Sequence, residues 1–472
     1  MWKQLEAAAF RYCPVVYLCI SLPIVLFQVF VLPPFQGADE AAHFLRVAHL
    51  TNGHVIGERF GEFSSGGPVP PAANMVHPPF AYMLAKPAAK LDGSKLTEAR
   101  QLFWRGAERP STFETSVIYP PLMYLPAIVG LKIGQVTGKS VLDSIYMARF
   151  LTALSAIAIS TVGLALAGPG RATMFVLLCF PMTLHLYSYV TQDALLISLA
   201  ALIAGLLSYA YASGKRFRLS SGLLLSMIVG CMVAARTPLF PIIAIFLLPL
   251  FAPQIGTVNP KWHGDRRVLY LALSTAIAIS WVLLGAAPVK VPFKLEDGIS
   301  ISGQLDFILG HMTHIPSIAF NTLEFYAIGY LQQIVGVLGN LDTPLPQWYY
   351  GLAVAPVFAA MLGDYMRPQN SMRMRDAWLI LGLCVVVAAA IFAAQYLSWT
   401  PVGASRVEGV QGRYFIPVLL LCAICVPCRL RARGGEDEFT AAVTSSSWLI
   451  VYGYAFYGVW LVPRVIFSRF IG

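Results

Sequence analysis

Charge is what this chain has least of. Only 12% of its 472 residues are Asp, Glu, Lys or Arg, while 57% are hydrophobic. Soluble globules carry roughly 25% charged residues, so lipid is the solvent for most of this chain and a soluble fold is excluded. Cysteine is sparse as well, and the eight present build no disulfide framework. Cys13, Cys19, Cys179, Cys231 and Cys384 stand singly in apolar runs, as small core residues do. Cys422, Cys425 and Cys428 have metal-like spacing in "CAICVPC", but they lie in an expected helix with no fourth ligand nearby, which reads as helix packing. Concentrated basic patches are also missing. The net charge of +10 is scattered over short loops, where it sets membrane orientation rather than binding nucleic acid.

Long apolar runs are abundant, and roughly 20 such residues span a bilayer core. The first run follows Lys3 and Arg11 and lacks a small-residue cleavage site, so it reads as a retained span with the N-terminus in the cytoplasm. Further basic links are "GPGR" (168–171), "GKRFR" (214–218), "PKWHGDRR" (260–267), "RPQNSMRMR" (367–375) and "RLRAR" (429–433). Placing all of them inside gives one alternating path with the C-terminus outside. Spans then fall near 13–32, 142–167, 172–190, 194–212, 219–235, 238–252, 268–287, 348–363, 377–397, 414–428 and 447–463. The expected fold is an all-α integral membrane domain over 1–472, with about 11 (10–13) transmembrane helices.

Two regions lie outside on this path. The first, 33–141, is a large extracytoplasmic loop; the second covers 288–347. Within the first, "YPPLMYLPAIVGLKIG" (119–134) is an amphipathic helix along the interface, since counting it as a span breaks the downstream charge pattern. "KLTEARQLFWRG" (95–106) has helical periodicity, with Leu96, Ala99 and Phe103 on one side. "SSGGPVPPAAN" (64–74) reads as loop. In the second region, 305–340 is apolar but carries Asn321, Glu324, Gln332 and Gln333, which suits a re-entrant or interfacial helix. Arg464 and Arg469 strain the path, because an outside C-terminus is not where positive charge prefers to lie.

Sorted by side, the polar residues gather. Asp39, Glu40 and His43 follow the first span; Gln192 and Asp193, Arg236, and Gln411 with Arg413 and Tyr414 stand at other outer turns. Lys290 and Lys294 lie beyond the seventh span. Charges near a membrane cost free energy unless they pair or line a polar cavity. One carboxylate with several cations suits glycosyl transfer from a polyprenyl-phosphate sugar. A carboxylate takes the acceptor proton. The phosphate is already a stable leaving anion, so arginines replace the acid that a glycosidase needs.

Five segments, "GADEAAHFLRVAHLTNG", "YPPLMYLPAIVGLKIG", "TQDALLISLA", "VGVLGNLDTPLP" and "VQGRYFIPVL", resemble signature segments of a bacterial multispan family of unknown function. That family in turn resembles the GT-C membrane glycosyltransferases. Ala41 stands where the family more often has proline, and Asn340 where it commonly has tryptophan. The resemblance implies a bacterial cytoplasmic (inner) membrane location and a polyprenyl-phosphate-sugar donor. It also implies a glycan, lipid or protein acceptor from the cell envelope. It matches Asp39 to the base in the first outer loop, Asp193 to a second acid, and Arg413–Tyr414 to an arginine–tyrosine pair opening a late span.

On the residues themselves, Asp39 is the candidate base against the alternative of a helix cap. Glu40 faces about 100° away and is either an understudy or a partner for a cation. His43, one turn after Asp39, could orient that carboxylate or share a divalent cation (Mg or Mn) with it and Asp193. Arg413 and Arg236 are the candidate phosphate ligands, with pairing to an acid as the alternative. Asp342 could line an acceptor path, while His311 and His314 read as interfacial. The rival functions are a transporter or flippase of lipid-linked sugars and a non-catalytic subunit of an envelope assembly complex.

Overall fold

The computed structural model describes residues 1–86, 88–253, 265–292, 298–367, 372–428 and 438–472. It is mostly helical. The first helix, α1 (Trp2–Val31), is apolar around most of its circumference, as a buried span should be. The chain then turns sharply into α2 (Glu40–Thr51).

The large loop carries more regular structure than expected. Three strands, β1 (Glu58–Arg59), β2 (Ser65–Val69) and β3 (Arg109–Thr112), form an antiparallel sheet with β2 in the middle. The loop expected over 64–74 is therefore corrected, and the mostly helical fold carries a small sheet. A side chain at Gly66 would run into the backbone of Ser111, and one at Gly67 into the ring of His49. Glycine here permits close approach, although its composition signals a loop. Short helices α3 (Pro71–Met75) and α4 (Tyr82–Ala85) follow. Helix α5 (Gly93–Arg100) stops before Phe103, which bridges in extended form to Ser140. The helix expected to run on to Gly106 thus ends early, and Phe103 does not join its face.

Residues 119–134 become a 3-10 turn, Pro121–Tyr124, and a 12-residue helix, α6 (Leu125–Val136). α6 lies against the start of α7 (Val141–Leu166). The stretch expected as one span over 172–190 is two helices, α8 (Arg171–Leu178) and α9 (Pro181–Leu186). Phe180 between them is extended because Pro181 disfavours helical backbone in the residue before it. Next come α10 (Asp193–Ser213) and α11 (Leu219–Ala235). The stretch expected over 238–252 consists of 3-10 turns, Thr237–Leu247 and Pro249–Phe251, with prolines at 238, 241 and 249 preventing a regular α-helix.

Helix α12 (Arg266–Trp281) ends in a π turn, Val282–Ala286. Beyond it lie α13 (Ile301–Gly310), α14 (Ile315–Gly336), the small hairpin β4 (Val337–Leu338) and β5 (Thr343–Pro344), α15 (Gln347–Leu352) and α16 (Val354–Met366). The chain finishes with α17 (Met374–Ser398), α18 (Ile416–Ala423) and α19 (Glu438–Phe470). Among the described residues, six helices are long and apolar enough to cross a membrane: α1, α7, α10, α12 with its π turn, α17 and α19.

The bundle has two distinct ends. At one, Arg171 donates to the Phe10 carbonyl, Thr173 to Asp364, and Ser445 to the Trp2 carbonyl. Tyr211 there donates to Asp376, and the Phe217 amide to the Leu250 carbonyl. The described parts of the basic links 168–171 and 214–218 lie at this end. At the other end sits the loop region. Arg149 on α7 reaches Glu40, the Trp281 indole donates to the Ile118 carbonyl, and the Leu91 amide donates to the Phe470 carbonyl. The 22-residue α14 meets the segment between α17 and α18 at two points. Thr322 accepts from the Val407 amide, and Gln333 from the Gly412 amide. The C-terminal arginine at 469 is paired, its Nη2 donating to Asp342 at 3.0 Å.

Candidate functional site

The turn between α1 and α2 sets the geometry. Phe35 and Asp39 both adopt left-handed backbone, with φ of 65° and 61°. Such conformations cost free energy in non-glycine residues and persist where the surroundings fix them, as at functional sites. Asp39 occupies the cap position of α2, yet its side chain caps nothing. The helix-cap reading is not what the structure shows.

Glu40 turns inward instead. Its two carboxylate oxygens accept from Arg149 Nε at 2.7 Å and Nη2 at 2.6 Å, and also from the amides of Phe35 and Val190. Arg149 gives its remaining N–H groups to the carbonyls of Val29, Leu32 and Pro33. Of the two roles open to Glu40, partner to a cation is the one observed; no lone pair is left facing a substrate. As a catalytic candidate Glu40 is corrected to an anchor of the α1–α2 turn. The sequence reading missed Arg149, whose signal is a lone arginine inside the apolar run "YMARFLTAL".

Asp39 points outward to a second arginine. Arg413 Nη2 donates to its Oδ2 at 2.7 Å, and Arg413 Nε donates to Gln411 Oε1 at 2.6 Å. The same guanidinium lies 3.9 Å from Asp193 Oδ2. Asp193 Oδ1 accepts from Arg236 Nη2 at 2.7 Å, and the Arg236 guanidinium stands 4.4 Å above the Tyr414 ring. Asp39, Asp193, Arg236, Gln411, Arg413 and Tyr414 thus form one cluster, drawn from four distant parts of the chain. Arg236 Nη1 is buried with no hydrogen-bond partner among the described residues. Arg413 is seated by α14: its neighbour Gly412 packs so closely on the Tyr330 carbonyl and Gln333 that no side chain fits there.

His43 flanks the cluster. Its ring stacks on Tyr119 with centroids 5.8 Å apart, and its Nδ1 lies 2.6 Å from the Tyr124 hydroxyl. Tyr119 is itself held by Arg46, which donates to its carbonyl at 2.9 Å. These tyrosines and Arg46 were not singled out in the sequence, although they lie in the quoted segments. Burial pushes the His43 imidazole down to about 4, against the pull of Asp39 and Asp193. For Asp39, burial works upward, but Arg413, His43 and Arg236 outweigh it and hold the carboxyl below its ordinary value.

A divalent cation does not fit this arrangement. No group of three or more His, Cys, Asp or Glu side chains converges among the described residues. The Arg413 guanidinium, within 4 Å of both carboxylates, stands where Asp39, His43 and Asp193 would need to share an ion. Other candidates sit apart from the cluster. Asp342 caps its own turn, accepting from the Asn340 amide and the Thr343 hydroxyl as well as from Arg469. His311 and His314 stack on each other at 5.4 Å on an exposed surface. Lys290 is exposed, and Lys294 lies outside the described residues.

A family model described as "Predicted membrane protein (DUF2142)" matches residues 22–422, a span containing every residue of the cluster. The chain belongs to the DUF2142 family. No curated protein and no solved structure matches it. Membership makes this DUF2142 chain a membrane protein, in keeping with its six long apolar helices.

Proposed function

We propose that this DUF2142 protein is a glycosyltransferase of GT-C type, moving a sugar from a polyprenyl-phosphate donor to a cell-envelope glycan, lipid or protein. In this reading the broken and short segments cross the membrane too, giving about eleven passes. The N-terminus is cytoplasmic, and the acid–arginine cluster faces outward from the bacterial inner membrane.

One observation carries the reading: a half-open carboxylate, Asp39, stands against buried Arg413, next to an Arg236 with an unmet N–H. An arginine fork suits phosphate oxygens. Asp39 paired to Arg413 is a weak base. A donor phosphate engaging Arg413 and Arg236 would compete for the guanidinium and free the carboxylate. The acceptor oxygen then attacks the anomeric carbon as its proton passes to Asp39. The bond from that carbon to the phosphate oxygen breaks, and its electron pair leaves with the polyprenyl phosphate. Charge building on the phosphate is met by fixed arginines, the kind of preorganised stabilisation that accelerates such steps.

The rival is a transporter or flippase of the same lipids, favoured by the break at Phe180–Pro181 and by polar groups inside the bundle. Transfer from polyprenyl-phosphate sugars, followed as released polyprenyl phosphate in nanodiscs, separates the readings. Asp39→Asn is expected to lower turnover about 10²–10⁴-fold while donor binding persists, and Arg413→Ala to weaken donor binding. Wild-type turnover in Asp39→Asn removes the base. Donor crossing the bilayer in proteoliposomes without transfer favours the rival.

A further inference from the structure

His43 is held at one ring nitrogen and free at the other. Its Nδ1 lies 2.6 Å from the Tyr124 hydroxyl. Its Nε2 has no hydrogen-bond partner among the described residues, yet that atom is not sealed off from solvent. The ring itself is fixed. Tyr119 stacks on one face with centroids 5.8 Å apart, and the Ser116 hydroxyl, from the same segment, donates to the neighbouring Ala42 carbonyl at 2.7 Å.

The phenol decides which nitrogen carries the hydrogen. Tyr124 is buried, and its hydroxyl makes no other hydrogen bond among the described residues. A phenol has a single proton to give. A hydrogen on His43 Nδ1 would leave that proton without an acceptor in a buried place, which costs free energy. Tyr124 therefore donates to Nδ1, and the hydrogen of the neutral ring sits on Nε2. Burial holds the imidazole at about 4, so Nε2–H is a donor without charge.

That donor stands at the cluster. The His43 amide donates to the Asp39 carbonyl, and the ring feels the charges of Asp39, Asp193, Arg413 and Arg236. With Nδ1 taken by Tyr124, Nε2 is the nitrogen left for a ligand. Arginine forks suit the phosphate. An uncharged donor beside them suits an uncharged oxygen, and on a sugar phosphate that is a ring hydroxyl. An N–H cannot accept a proton, so His43 does not duplicate Asp39.

We propose that the Nε2–H of His43 reads a hydroxyl of the sugar carried on the lipid phosphate. The inference rests on the proposed reading of the cluster as a site for a lipid-linked sugar phosphate. A bound lipid lacking that hydroxyl leaves the donor unpaired, which is how such a group discriminates.

The test is binding to the full chain in nanodiscs of polyprenyl phosphate, either bare or carrying glucose, mannose or arabinose. Wild type should prefer one of the sugar-bearing lipids to the bare one. Glutamine places its amide nitrogen near the position of Nε2, whereas asparagine places its own near Nδ1. His43→Asn should therefore lose about tenfold of the preference, and His43→Gln should keep most of it. Arg413→Ala should weaken bare and sugar-bearing lipid alike. Equal preference in the Asn and Gln variants overturns the proposal. A second measurement needs no lipid. With 15N-labelled histidine, the His43 signal, assigned by its loss in His43→Gln, should show the hydrogen on Nε2. A hydrogen on Nδ1 overturns this inference and leaves the transfer reading standing. Wild type that binds sugar-bearing and bare lipid equally overturns the inference, and wild type that binds neither overturns that reading with it.

Discussion

Glu40 and Arg149 bury each other completely, with 0% of either side chain exposed, whereas Asp39 leaves 54% of its side chain open while it holds Arg413. The two acids are consecutive in sequence. On the inward side every charge-bearing atom has a fixed partner, which suits a clamp. On the outward side one guanidinium serves Asp39 and Gln411 within hydrogen-bond reach and Asp193 at 3.9 Å, while a second keeps a spare N–H. Complete satisfaction marks architecture; incomplete satisfaction at an accessible carboxylate marks a place where something else can bind. A backbone twist at Asp39 and the first turn of α2 separate the two roles.

The contrast is easiest to break at Arg149. Arg149→Met strands a buried carboxylate and should cost about 3–5 kcal/mol, read as loss of folded protein on heating in detergent. A stable Arg149→Met variant would mean that Glu40 is not a clamp. Next in size is the response to pH. His43 is held near 4 by burial, against 6.5 unperturbed. The unfolded chain therefore binds a proton between those values that the folded chain refuses. Stability contributed by neutral His43 is full above pH 6.5 and is lost as pH falls from 6.5 toward 4, by about 3 kcal/mol in all. His43→Asn should flatten that slope in a thermal-shift series; an unchanged slope would locate the titration elsewhere. Smallest is Asp39→Asn: the amide oxygen can still accept from Arg413, which keeps Gln411 and has Asp193 at 3.9 Å, so stability should move by no more than about 1 kcal/mol. A collapse of the fold in that variant would erase the distinction between the neighbours.

Much of the cluster was legible because lone charges at the ends of apolar runs are costly unless they meet, and six of the named residues do meet. The sheet in the large loop was not legible. Gly66 and Gly67 carry no side-chain pattern, so a strand that needs close backbone approach looks like a linker. Arg149 was hidden for the opposite reason: a single cation in a long apolar helix barely changes the hydropathy, and its partner lies over a hundred residues away. The proline at 181 was visible, but its effect on a strongly apolar stretch depends on packing that no local window contains.

The fit of Gly412 against α14 has a wider consequence. Arg413 inherits its position from a helix that brings no acid or base of its own to the cluster, so α14 acts as the gauge block for the gap between guanidinium and carboxylate. On the proposed reading, substitutions along its Tyr330–Gln333 face should retune phosphate affinity without changing any residue of the cluster.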